Sequence, residues 1–175
     1  MSNPGEEMVA IVDRANRVTG SATRREMREN ALPHRATYIL VFNSAGDLYV
    51  QRRTMTKDVY PGFLDPVAGG VVLAGESYEE SAARELAEEM GIRGVPLRKE
   101  FEFWFDDAKV KVWGGAFSCV YDGELVLQPE EVESVTLMRP GTVAAGKEQF
   151  TPDGLYVVRR YLGGSIAQTP SLESR

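Results

Sequence analysis

Apolar and polar positions along the chain follow two alternating periods. Residues 8–12, Met-Val-Ala-Ile-Val, form a short apolar run, and 18–24 returns as a second extended stretch beyond a turn over 13–17. Both predict strands. Helical spacing over 22–32, with Thr23 as N-cap, predicts a short helix that Pro33 ends. The β-branched and aromatic run 36–43 predicts a buried strand. The turn signal Asn-Ser-Ala-Gly-Asp follows, and 48–53 alternates as its hairpin partner. A loop over 54–62 leads into an extended stretch, 63–73, interrupted by Pro66 and the pair Gly69-Gly70. The clearest helix is 77–90, with Gly91 at the position after its end. Residues 97–105 and 110–121 predict two long strands, 132–138 another strand, and 140–148 and 152–162 short helices. The order predicts an α+β, mixed α/β architecture: a mixed sheet sandwiched between helices, not a doubly wound parallel sheet. Three parts are expected: a strand-strand-helix extension over 1–33 packed on the core, the main domain over 34–162, and a loose tail over 163–175.

Composition narrows the class. A chain of 175 residues, 43% hydrophobic and 26% charged, fits one globular domain. No apolar run reaches membrane-spanning length, and the first residues do not read as a secretory signal. The one cysteine, Cys119, cannot pair within the chain, which favours a reducing cytoplasm, and its apolar surroundings read as core. Trp104 and Trp113 alternate along strands and read as core too. A net charge of -6 argues against general nucleic-acid or anionic-membrane binding. A small anionic ligand would need local cations or a metal. A homodimer is compatible with these numbers.

One helix gathers carboxylates against that charge. Glu76, Glu79 and Glu80 stand at its start, where the helix dipole favours them. Glu85, Glu88 and Glu89 lie at i, i+3 and i+4 on one face, and Glu89 sits near the unfavourable end. Like charges at this spacing cost a few tenths of a kcal/mol. Two readings stand: a solvated face relieved by Arg84, four residues from both Glu80 and Glu88, or a hard-cation site for Mg²⁺ or Mn²⁺. Gly69, Gly70 and Gly75 before the helix allow sharp turns and close backbone approach.

From Gly70 to Ile92 the residues match the pattern G-x5-E-x7-R-E-U-x-E-E-x-G-U, with U a bulky aliphatic residue. The stretch resembles the Nudix box. The resemblance implies the Nudix fold and Mg²⁺-dependent cleavage (Mn²⁺ as the alternative) of a nucleoside diphosphate linked to a group X. Glu85 and Glu89 look like the principal metal ligands, Glu88 like a further ligand or the base, and the Gly69 carbonyl like an assisting ligand. Arg84 would orient the glutamates. Glu76 would brace the loop before the helix, and Gly70 and Gly91 would be structural. Glu133 and Glu148, near loops beyond the core strands, are candidates for a base outside the box.

The segment "HRATYILVFNSAGDLYVQRRTMTKDVYPGFLD", residues 34–65, also resembles isopentenyl-diphosphate isomerases. That resemblance implies that Arg53 and Lys57 grip a diphosphate; the plainer reading is two exposed cations at a strand end. His34, a metal ligand in the isomerases, otherwise reads as a polar tie at the strand start. Gly69 stands where the isomerases carry a catalytic cysteine, and Val71 where they carry a histidine. A complete box with glycine at 69 favours hydrolysis over isomerisation. A non-catalytic ligand sensor or protein-binding module is the remaining class.

Overall fold

The structure, a computed structural model, describes residues 3–147 and 149–163. The expected tail beyond 163 and the candidate Glu148 lie outside the described residues. The elements are β1 (Met8–Val12), β2 (Val18–Thr23), α1 (Arg24–Glu29), β3 (His34–Phe42), β4 (Leu48–Arg53), β5 (Leu64–Asp65), α2 (Tyr78–Met90), β6 (Arg98–Asp106), β7 (Lys111–Val120), β8 (Val132–Met138), α3 (Pro140–Ala144) and α4 (Pro152–Gly163). A 3-10 turn over Pro4–Glu6 precedes β1 and was not expected from the sequence.

Helix starts follow local chemistry. Thr23 and Glu26 form a reciprocal capping box on α1, and Ser77 and Glu80 form one on α2. α2 ends where Gly91 takes a left-handed conformation (φ 69°, ψ 21°). Tyr78, Ala82, Leu86 and Met90, one turn apart, are all buried. Burying each larger side chain contributes about 1.5–3 kcal/mol.

β3 is the central strand. It runs parallel to β7 from His34↔Val112 to Phe42↔Val120, and β7 pairs antiparallel with β6. Its apolar run is explained by burial on both faces. Tyr38 and Leu40 join a cluster with Phe103, Val157 and Val158 of β6 and α4. Ile39 and Val41 join another with Leu86 and Met90 of α2 and with Cys119, whose thiol burial pushes up to about 11.

The hairpin expected of β3 and β4 is not a full ladder. The turn forms, with Asn43 N–H donating to Asp47 O at 2.9 Å. The strands then share only the pair Phe42↔Leu48, and β4 instead pairs antiparallel with β8 and β5. The chain itself fills the opening. Leu64 and Asp65 pair with β4, after which Ala68 and Val71 bridge to Ile39 and Ala36 of β3. Pro66, which has no N–H to lose, sits where the segment leaves one strand for the other. Val72 then accepts from Ala10 N–H (3.2 Å), so this segment lies between β3 and β1. The glycine pair therefore reaches the middle of the sheet, facing the second half of α2 where Glu85 and Glu89 stand.

Candidate active site

The three glutamates of the α2 face have unlike surroundings. Glu89 is 5% exposed, and its Oε1 accepts the Gly69 N–H at 3.0 Å. Burial, and then the charge of Glu85, push its carboxyl up to about 8; the Gly69 N–H and the charge of Lys57 pull the other way. Glu85 is also raised by burial, against the pull of Arg84. Glu88 reaches solvent, with 48% of its side chain exposed. Among the described residues Glu89 takes part in no ion pair.

Arg84 binds the loop to the helix. Its Nε and Nη2 donate to the two oxygens of Glu76 (2.7 and 2.9 Å), and its Nη1 donates to Glu85 Oε1 (2.9 Å) and Glu88 Oε2 (3.3 Å). Glu76 also accepts the Leu73 N–H at 3.0 Å. Burial pushes the Glu76 carboxyl up, yet these bonds outweigh it and hold it below its ordinary value. Arg84 turns to Glu76 rather than Glu80, because Glu80 is committed to the cap at Ser77.

Both glycines stand in close contact, Gly70 with a side chain and Gly69 with backbone. A Cβ on Gly70 would lie 2.6 Å from Glu85 Oε1, so the carboxylate rests directly on the backbone. Gly69 has φ +141°, and a Cβ there would lie 2.0 Å from the Thr37 carbonyl oxygen. At Gly91 a Cβ would meet the Val126 side chain at 2.7 Å.

Gly69 and Gly70 also form part of the wall of a cavity of about 80 Å³, beside Arg53, Lys57, His34 and Asp153. Neither Arg53 nor Lys57 is an exposed strand-end cation. Arg53 donates to Asp65 Oδ2 (3.0 Å) and twice to Val59 O (3.1 and 2.9 Å), while Lys57 is paired with Glu131 and has 11% of its side chain exposed. His34 lies buried, with Nδ1 2.9 Å from Leu32 O, a tie at the start of β3. Burial, and then Arg28, lower its pKa to about 4, so the ring is neutral.

Other wall residues escaped the sequence reading. Tyr38 O–H donates to Asp153 Oδ2 at 2.9 Å, and burial, then Asp65, push the Asp153 carboxyl up to about 6. Arg24 and Arg28 of α1 reach the same cavity; their spacing of four residues was the one available signal. Glu133 is not brought to the buried glutamates. It is exposed on β8, 4.0 Å from Arg52, beside a separate hollow with Thr54 and Met55.

Among the described residues, no three His, Cys, Asp or Glu side chains converge as a metal site. Arg84 takes Glu85 and Glu88, and the Gly69 N–H takes Glu89. The donor chemistry nevertheless suits a hard divalent cation: two buried carboxylates repel each other, and one lacks an ion-pair partner.

Comparison with known proteins identifies the family and the fold. A sequence profile described as the NUDIX domain matches residues 32–161. The Nudix hydrolase YfcD of Escherichia coli K12, itself uncharacterised, is 49% identical over 149 residues, spanning 85% of this chain and 83% of its own. The Nudix hydrolase PA4841 of Pseudomonas aeruginosa, also uncharacterised, is 48% identical over 158 residues, spanning 89% of this chain and 94% of its own. The crystal structure of DR0079 from Deinococcus radiodurans matches with a TM-score of 0.75 at 26% identity, covering 88% of this chain and 98% of that one. The chain belongs to the Nudix family. It is an enzyme of that class, a hydrolase of phosphorus-containing acid anhydrides. Among the described residues, no helix is long and apolar enough to cross a membrane.

Proposed function

We propose that this protein is a Mg²⁺-dependent pyrophosphohydrolase of the cytoplasm that cleaves a phosphoanhydride bond in a nucleoside diphosphate linked to X. The observation that carries this reading is the buried pair Glu85 and Glu89, laid against the Gly69–Gly70 backbone without a cation on Glu89. A divalent cation, Mg²⁺ or in its place Mn²⁺, would supply charge against the diphosphate and a lower pKa for the attacking water. Glu85 and Glu89 would hold it, with Glu88 or the Gly69 carbonyl adding oxygen. Arg84 fixes Glu85 by the bond to Nη1 and is itself fixed by Glu76, so the carboxylate arrives with little freedom left to lose. Glu88, the solvated member, would be either that further ligand or the base that takes the proton of the attacking water. Lys57 and Arg53 offer positive charge along the adjoining cavity wall to the rest of the diphosphate.

The expected result is release of phosphate-containing product from a panel of nucleoside diphosphate derivatives with Mg²⁺ and none with chelator. A panel on which no member is turned over in a Mg²⁺-dependent way would favour the sensor or binding-module reading instead. Isopentenyl diphosphate should not isomerise, because position 69 has neither a thiol nor room for one.

A further inference from the structure

The cationic residues around the cavity come from two places. Arg53 and Lys57 belong to the matched domain, but Arg24 and Arg28 stand on α1, ahead of residue 32 where the family match begins. The same two arginines and Lys57 also line an adjoining hollow of about 530 Å³ beneath the N-terminal segment. Both guanidinium groups are largely enclosed, each with 21% of its side chain exposed.

Their direct ion-pair partners are few, although Glu29, Glu130 and Glu131 also line the larger hollow. Asp58 serves both, at 3.1 Å from Arg28 Nε and 3.6 Å from Arg24 Nε; Arg24 has in addition Glu7 at 3.8 Å. Two largely enclosed cations on two partly exposed carboxylates, with Arg53 and Lys57 against Asp65 and Asp153 on the same wall, leave the smaller cavity rich in positive charge. That charge meets the site because Arg24 and Arg28 line the same cavity as Gly69 and Gly70; beside burial, it also helps keep His34 neutral. A diphosphate held over Gly69–Gly70 would therefore extend toward a cationic wall to which α1, outside the matched 32–161, contributes two arginines.

We propose that Arg24 and Arg28 form an anion subsite that selects substrates whose X group is itself a phosphate. This rests on the hydrolase reading above and names the substrate class within it. Asp58 then acts as a place-holder, which an incoming phosphate displaces by offering the two arginines better, charge-assisted bonds. An alternative role for the same contacts is purely structural, with Asp58 pinning α1 to the 54–62 loop.

The two roles separate in a pair of variants. Steady-state rates are measured with Mg²⁺ on a nucleoside triphosphate, a nucleoside diphosphate hexose and the matching uronic-acid compound. The readout is the ratio of kcat/KM for triphosphate over hexose. Arg28→Ala should lower that ratio about tenfold or more through KM, the scale of a lost charge-assisted bond. Arg28→Lys should retain part of it. Asp58→Asn keeps the shape and removes the competing charge, so it should raise the ratio about twofold or more. A structural bridge predicts the same direction for both variants, and that result, or a ratio unmoved by either, overturns the subsite. If Arg28→Ala does not fold, Asp58→Asn decides alone by its sign. The uronic-acid arm distinguishes phosphate from charge: a gain there equal to the triphosphate's overturns phosphate selection. Absence of Mg²⁺-dependent turnover on all three substrates would instead strike the hydrolase reading itself.

Discussion

Glu89→Gln should abolish turnover, by on the order of 10²–10³-fold or more, while making the metal-free protein more stable at pH 8. The substitution is isosteric, and the amide oxygen can still accept the Gly69 N–H, so the fold has no steric reason to fail. The stability gain follows from proton counting. Folded Glu89 keeps its proton to about pH 8, whereas the unfolded side chain releases it near 4.5. Between those values the folded state binds more protons, so stability falls as pH rises, and the loss is complete once the folded carboxyl ionises. From pH 6 to 8 the slope amounts to roughly 2–3 kcal/mol. Asp153, raised to about 6, adds to the slope only below that pH. Glutamine does not ionise, so the variant should lose most of the slope above pH 6.5. Mg²⁺, binding where a carboxylate is costly, should raise the wild-type melting temperature more at pH 8.5 than at pH 6, and the variant's hardly at all. Thermal melts across this range with Mg²⁺ or chelator test it. A variant that hydrolyses near the wild-type rate would remove Glu89 from the metal assignment.

The contrast between Glu88 and Glu89 shows how far the sequence could be read. Their spacing put both on one face of α2, and the helix, its Ser77 cap and its glycine stop were legible because each depends on residues within a turn or two. Spacing could not say that Glu89 is enclosed while Glu88 stands in water, because burial of that face depends on the Gly69–Gly70 segment crossing the sheet. The β3–β4 turn was legible for the same local reason. The divergence of those strands was not, since the 64–71 segment that enters between them pairs first with β4 and then with β3, and its pattern showed only an extended stretch without its partners. The cavity was the least legible. Tyr38 and Asp153 are 115 positions apart, and each taken alone looks like a strand aromatic and a helix-start acid. Arg53 and Lys57 were recognised by resemblance, but their partners Asp65, Val59 and Glu131 are set by the course of the loops.

Gly69→Cys should not convert the enzyme to an isomerase; it should lower both stability and hydrolysis. Two costs coincide at this position. At φ +141° an L side chain is strained, and its Cβ would lie 2.0 Å from the Thr37 carbonyl oxygen. No rotamer change can relieve that contact, because the obstacle is backbone in the central strand, where Thr37 is paired with Gly115 of β7. Relief requires bending β3 or moving residue 69 away, and moving it withdraws the N–H from Glu89. The melting temperature should fall by an amount corresponding to about 3 kcal/mol or more, and turnover should fall with it. Gly75→Ala is the control. Gly75 also has positive φ, +82°, but a Cβ there meets nothing within 4 Å. It should cost only the strain of the left-handed backbone, about 1–2 kcal/mol, with hydrolysis largely kept. Wild-type melting and hydrolysis in Gly69→Cys, or isomerisation of isopentenyl diphosphate by it, would show that the backbone can yield at 69. The glycine would then be a choice of chemistry alone. A large loss at 69 beside a small one at 75 would show that packing against Thr37 also bars the cysteine. Glycine there both completes the sheet and leaves its N–H for the buried carboxylate.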